Sequence, residues 1–304
     1  MIFENLCQLK FICTYNIIIF VATIDLCVKD LYMKYFGGYL GVDMVSFDYK
    51  GGGMAILGKM LSGKTSLLRC IAGLEDFDGK IDLDAKDIVF TFDIKSLKKN
   101  STVYDTIAFP LTIRKVQDIP SKVSLAAKTF MVEDFLKERI KNLNDDQKRL
   151  VILARAFSRE ADLYLLDNPL KDMENRQEVY KILQNVIKDK NVIYATDSVD
   201  EAKDFNSIML MAYKKCIGLG SFDELIKAPK TLDVLKLLTD YRYEYLTLNK
   251  DEKGYNVIYN EKRIDVNEPI STIYYSKEVV FPIDNGELLN MYFDNSTEYL
   301  ISKR

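Results

Sequence analysis

Eight consecutive residues, Gly58-Lys59-Met60-Leu61-Ser62-Gly63-Lys64-Thr65, carry the spacing G-x-x-x-x-G-K-[ST]. Residues of these types at these intervals cradle phosphate. The glycines let the backbone curl around an anion, and a helix beginning at Lys64 and Thr65 and running on through Ser66 aims its unsatisfied N–H groups and positive dipole end at it. Lys64 is placed to reach the terminal phosphates of a nucleotide, and Thr65 to hold its magnesium ion.

The flanking residues predict the elements that such a loop needs. Met54-Ala55-Ile56-Leu57 reads as a short buried strand before it, and Ser66-Leu67-Leu68-Arg69-Cys70-Ile71-Ala72 as a helix after it. Upstream, Ile24 to Leu31 and Met44 to Tyr49 read as strands joined by a Gly37-Gly38 turn, with Gly51-Gly52-Gly53 leading into the loop strand. The pattern turns helical between Ser101 and Arg159. Ala161 to Asp167 then resumes as a buried strand ending in a carboxylate, and Asn191 to Ala195 repeats the form. Alternation of this kind predicts an α/β fold: a mostly parallel sheet covered on both faces, with an inserted helical subdomain at about 101–159.

The expected organisation is a nucleotide-binding domain over 24–235, preceded by an extension over 1–23 and followed by a small β-rich domain over 236–304. In the last of these, Tyr243 to Leu248, Tyr255 to Tyr259, Ile273 to Tyr275 and Glu278 to Pro282 read as short strands. The uncharged stretch from Phe11 to Ile24 is too short to span a bilayer, which takes about 20 apolar residues. It reads as an extension foreign to the domain, an added strand or a surface anchor.

Composition narrows the function. The chain has 304 residues, 48% hydrophobic and 29% charged, enough for one large domain and a smaller one. A net charge of -3 without a basic run argues against nucleic-acid binding. The five cysteines are scattered and lack paired C-x-x-C spacing, as expected of a reducing cytoplasm. The chain has no histidine, so imidazole is excluded as base, switch or metal ligand within it.

The order of further motifs resembles the ATP-binding subunit of an ABC transporter over roughly Ile24 to Lys230, and is most similar to the carbohydrate-importer branch. Thr102 to Leu111 resembles the segment after the family's glutamine loop. Leu143-Asn144-Asp145-Asp146-Gln147 occupies the place of its signature, with Val151 to Phe157 as the helix behind it. Leu163 to Pro169 matches the Walker B strand, Ala195 to Ala202 the histidine-switch segment, and Gly220 to Leu225 the closing turn and helix. The resemblance implies an ABC-type P-loop NTPase core, ATP and Mg2+ as cofactors, and Thr65 and Asp167 as magnesium ligands. It also implies adenine stacking on Tyr35 or Phe36. The implied partners are a second ABC ATP-binding subunit, as homodimer or heterodimer, and an integral membrane permease, with the chain on the cytoplasmic face of the membrane.

Several positions depart from the family pattern. Asn168 replaces the glutamate that polarises the attacking water, and an amide cannot accept the proton; loss of a positioned base costs roughly 10²- to 10⁴-fold in rate. Asp197 replaces the switch histidine and is expected to repel the γ-phosphate. Asp93 stands where a glutamine links metal, water and permease. Asp145 and Asp146 replace glycines of the signature: they stabilise their own helix but consume the positive potential a partner's phosphate would use. Leu61 takes a glycine position in the phosphate loop, and Glu174 that of the D-loop aspartate. The expected function is therefore a degenerate ABC ATP-binding subunit of a sugar-type importer, holding ATP-Mg with weak or absent hydrolysis. The alternatives are a soluble ABC-like nucleotide-sensing or interaction module without a permease, and a still-active ABC ATPase.

Overall fold

The computed structural model describes residues 24–227 and 231–238, together with the backbone of short strands within 9–22 and 244–302. At the N-terminus, β1 (Leu9–Thr14) and β2 (Ile17–Ala22) pair as an antiparallel hairpin. Three antiparallel strands follow in the order β4-β3-β6: β3 (Asp25–Lys34), β4 (Leu40–Lys50) and β6 (Asp78–Leu83). The Gly37-Gly38 turn joins the first two as expected, both glycines having positive φ. Both strands run longer than the sequence pattern predicts. β3 is bulged between Val28 and Leu31, where Asp30 has a positive φ, and the bulge breaks the alternation that would have marked its full length.

The nucleotide-binding core is a six-stranded sheet in the order β11-β10-β5-β9-β8-β7. Its members are β5 (Gly53–Leu57), β7 (Ile88–Phe90), β8 (Leu163–Asp167), β9 (Val192–Thr196), β10 (Ser207–Ala212) and β11 (Lys215–Gly220). All neighbours pair in parallel except the edge hairpin β10–β11. Strands β8 and β9, Leu-Tyr-Leu-Leu-Asp and Val-Ile-Tyr-Ala-Thr, are almost continuously apolar because helices and a second sheet cover both their faces.

On one face, Leu163, Leu165 and Ile193 pack with α1 (Lys64–Ile71) and the antiparallel sheet. On the other, Tyr164, Leu166, Val192 and Tyr194 meet the helical subdomain and α5 (Arg176–Ile187). That subdomain comprises α2 (Val103–Ile113), α3 (Ile119–Thr129) and α4 (Asp145–Phe157), with Phe130 stacked on Phe157 and Phe157 on Tyr164. A third cluster joins β5 and β10 to α6 (Val199–Ala202), α7 (Phe222–Lys227) and α8 (Leu232–Leu238).

Towards the C-terminus the backbone forms a four-stranded and a three-stranded antiparallel sheet. They contain the expected strands at Tyr255 to Tyr259 and Ile273 to Tyr275, within Gly254–Tyr259 and Thr272–Ser276. The single strand expected over Tyr243 to Leu248 is divided between Glu244–Leu246 and Leu248–Asp251. The strand expected at Glu278 to Pro282 lies outside the described residues.

Candidate nucleotide site

The phosphate loop runs from the C-terminal end of β5 to the first turn of α1. Gly58 cannot carry a side chain: a Cβ there would lie 2.5 Å from the Met211 carbonyl oxygen. Gly63 has φ 108 and would place a Cβ 2.8 Å from the Gly41 carbonyl oxygen. The Lys64 ammonium is folded back over the loop, donating to the carbonyls of Gly58 at 2.6 Å and Lys59 at 3.1 Å. Burial lowers its pKa, while the carboxylates of Asp167 and Asp197 oppose that shift. Ser62 is buried beside it.

Leu61 adopts φ 64, the left-handed conformation that the glycine of related loops takes without strain. Its side chain and that of Met60 point to solvent, and its carbonyl accepts the Lys214 ammonium. The Lys214 backbone N–H also donates to Ser62 at 3.0 Å. The β10–β11 turn thus braces the loop in a shape that Leu61 alone disfavours.

At the start of α1, Thr65 Oγ1 donates to Asp167 Oδ1 at 3.1 Å. Burial raises the Asp167 pKa, and the Thr65 hydroxyl and Lys64 ammonium oppose the rise. Its backbone N–H donates to Thr91 Oγ1 at 2.8 Å, which fixes the end of β8. A polar cavity beside the pair is lined by Thr65, Asp93, Arg149, Asp167, Asn168 and Lys171. A hydroxyl and hard carboxylate oxygens suit magnesium, which typically takes few protein ligands and completes its shell with phosphate and water. Among the described residues no cluster of three or more acidic or cysteine side chains could hold an ion unaided. The donor set therefore fits a magnesium ion shared with a nucleotide. Asp93 caps a short 3-10 turn, accepting the Lys95 N–H at 2.9 Å.

Asn168 lines this cavity with φ 41, and its Oδ1 is buried without a hydrogen-bond partner. An unpaired buried acceptor costs about 1–3 kcal/mol. It can accept a hydrogen bond from water but cannot take up its proton.

Asp197 lies just past β9, whose Thr196 carbonyl accepts the Gly58 N–H at 3.2 Å. Asp197 is expected to repel phosphate; it is not a bare carboxylate, because Arg176 at the start of α5 pairs with it at 3.0 Å. The same guanidinium donates to both oxygens of Glu201, at 2.6 Å and 3.0 Å, and to Thr196 Oγ1 at 3.2 Å. Sequence reasoning missed Arg176, since nothing in the spacing between residues 176 and 197 marks a contact made only in the fold.

The segment Leu143 to Gln147 makes most of its hydrogen bonds within its own helix. Asn144 caps α4 by accepting the Gln147 N–H at 2.8 Å, and Gln147 returns a bond to the Asn144 N–H at 3.0 Å. Asp145 pairs with Lys148 at 2.8 Å, and Asp146 accepts the Glu174 N–H at 3.2 Å, while Leu143 is buried. The carboxylate effect was legible, but the reciprocal capping box was not recognised, although Asn144 and Gln147 have the three-residue spacing that announces it. Of the two aromatics near the loop, Tyr35 packs on the core and shares a hydrogen bond with Ser66 Oγ at 3.0 Å, whereas Phe36 is fully exposed.

Residues 42–171 match the family model for the ABC transporter. The chain carries an ABC transporter ATP-binding domain. It is 29% identical over 290 residues to the trehalose/maltose import ATP-binding protein MalK of Thermococcus litoralis, covering 86% of this chain and 78% of that protein. It is 32% identical over 228 residues to the sulfate/thiosulfate import ATP-binding protein CysA 2 of Shewanella oneidensis, covering 67% of this chain and 64% of that one. The chain thus spans just under two thirds of the sulfate relative. A bacterial Atm1-family ABC exporter solved with ATP bound shares the fold, with TM-score 0.61 and 18% identity over 71% of this chain and 42% of the exporter. The similar import proteins are named for sugars and for an inorganic anion, so the likeness marks the ABC core without fixing a solute.

Proposed function

We propose that this ABC chain is a degenerate ATP-binding subunit of an importer, holding ATP-Mg at the phosphate loop while contributing little hydrolysis. One observation carries the reading: the Lys64 cradle and the Thr65–Asp167 pair are intact, while the adjoining catalytic position holds Asn168. Magnesium supplies charge neutralisation at the phosphates when bound. Lys64 binds the terminal phosphates, Thr65 and Asp167 orient the metal, and Asn168 holds a water without removing its proton. Asp93 is committed to its turn and offers a second carboxylate to the cavity. Phe36 is the better placed platform for adenine because its ring is uncovered.

The resemblance to import proteins supports a permease partner and a place on the cytoplasmic face of the membrane; no described helix is long and apolar enough to cross one. A groove between the sheet and the helical subdomain, lined by Phe92, Phe109, Ile113 and Arg155, supports that partner. A helix of the permease with an apolar face and an acidic residue would fit it. A second ABC subunit would set its signature against this loop, and the two sites so formed would differ if that subunit is intact. The solute would be of the sugar type. Purified chain that binds ATP-Mg, and that captures integral membrane proteins from detergent extracts, is the expected result. Capture of soluble proteins alone would favour the nucleotide-sensing module instead.

A further inference from the structure

We infer that Arg176 favours nucleoside triphosphate over diphosphate at this site by partly neutralising Asp197. The inference rests on the proposed seating of nucleotide in the phosphate loop. Asp197 follows β9, the strand directly beside the loop strand β5, and Thr196 before it is hydrogen-bonded to Gly58 at 3.2 Å. The Asp197 charge is felt by Lys64, the residue that meets the terminal phosphates. An unpaired carboxylate here would oppose the group that distinguishes ATP from ADP, and would do so more than it opposes the inner phosphates.

Arg176 offsets part of that opposition, its single charge being shared between Asp197 and Glu201. Its guanidinium is held by the buried Glu201, which also accepts hydrogen bonds from Tyr194 and Thr196. One planar fork thereby satisfies a buried carboxylate and still presents a donor to Asp197 at 3.0 Å. The link between Arg176 and Glu201 is structural and should affect every nucleotide alike. The link to Asp197 should act only where a γ-phosphate is present. Arg176 is therefore a positioning residue, acting through Asp197.

The test is calorimetric titration of the full chain with ADP and with the β,γ-imido analogue of ATP, both with magnesium. Asp197→Asn removes the charge at a partly exposed position and should leave the fold intact. It is expected to tighten the analogue about fivefold relative to ADP, because Arg176 then faces the phosphates unpaired. Arg176→Gln should weaken the analogue about fivefold relative to ADP, and adding Asp197→Asn should return the ratio to that of the unaltered chain. An analogue-to-ADP ratio unchanged by Asp197→Asn would overturn the inference. So would an Arg176→Gln loss that the second substitution does not relieve. No binding of either nucleotide to the unaltered chain would instead overturn the nucleotide function itself.

Discussion

Thr65 Oγ1 and Asp167 Oδ1, 102 positions apart in the chain, meet at 3.1 Å where the phosphate loop abuts the end of β8. Two hard oxygen donors from separate elements are thereby placed together before any ion arrives. Replacing either with a group that cannot ligate, as in Thr65→Ala or Asp167→Asn, should lower the affinity for ATP with magnesium at least about tenfold, or 1.4 kcal/mol. It should leave affinity measured in chelator nearly unchanged. Titration of each variant with and without magnesium checks this.

Asn168 stands where a base would act, and the cavity around it is otherwise furnished with the magnesium donors. Asn168→Glu should therefore raise phosphate release by at least about tenfold, below the full gain of roughly 10²- to 10⁴-fold that a positioned base supplies. The shortfall is expected because Asp93 and Asp197, on the same side of the site, still stand in place of a glutamine and a histidine. Steady-state phosphate release from the paired subunits reads it directly.

The elements that feed the loop were readable because they follow local rules. A four-residue apolar run led into the Gly58-to-Thr65 spacing, and the alternating pattern beyond it predicted the parallel sheet. What escaped was tertiary. The bulge at Asp30 concealed the length of β3, Leu61 gave no hint of its support by Lys214, and Asp197 alone could not reveal Arg176. Each of these depends on residues that only the fold brings together. Thr91, which fixes the backbone of Asp167, belongs with them.

The capping box of α4 makes a stability prediction. Asn144→Ala removes the acceptor for the Gln147 N–H and should cost about 1 kcal/mol, seen as a lower urea midpoint with an unchanged slope. Asn144→Ser should recover most of it. Loss from both substitutions alike would point to a role for the amide beyond the cap.

Cys70 lies on α1 directly behind the phosphate loop, and burial pushes its thiol up to about 11. Its raised folded value contributes stability that is present below the ordinary thiol pKa and lost as pH rises through about 11. The Cys27 thiol is raised as well, by its hydrogen bond to Asp48, so access decides the order: in native protein at pH 8, alkylation should spare the buried Cys70 and modify the half-buried Cys27 first. Mass mapping of the labelled chain before and after denaturant checks the order.

The central claim is that nucleotide binding has outlasted hydrolysis, and single-turnover measurement with radiolabelled ATP tests it most directly. The chain, in excess over ATP-Mg and in the presence of its partner subunit, should retain ATP at the Lys64 loop with negligible conversion to ADP, and Asn168→Glu should speed that conversion. Rapid, complete conversion at the loop of the unaltered chain, established with the partner's own loop lysine substituted, would contradict it.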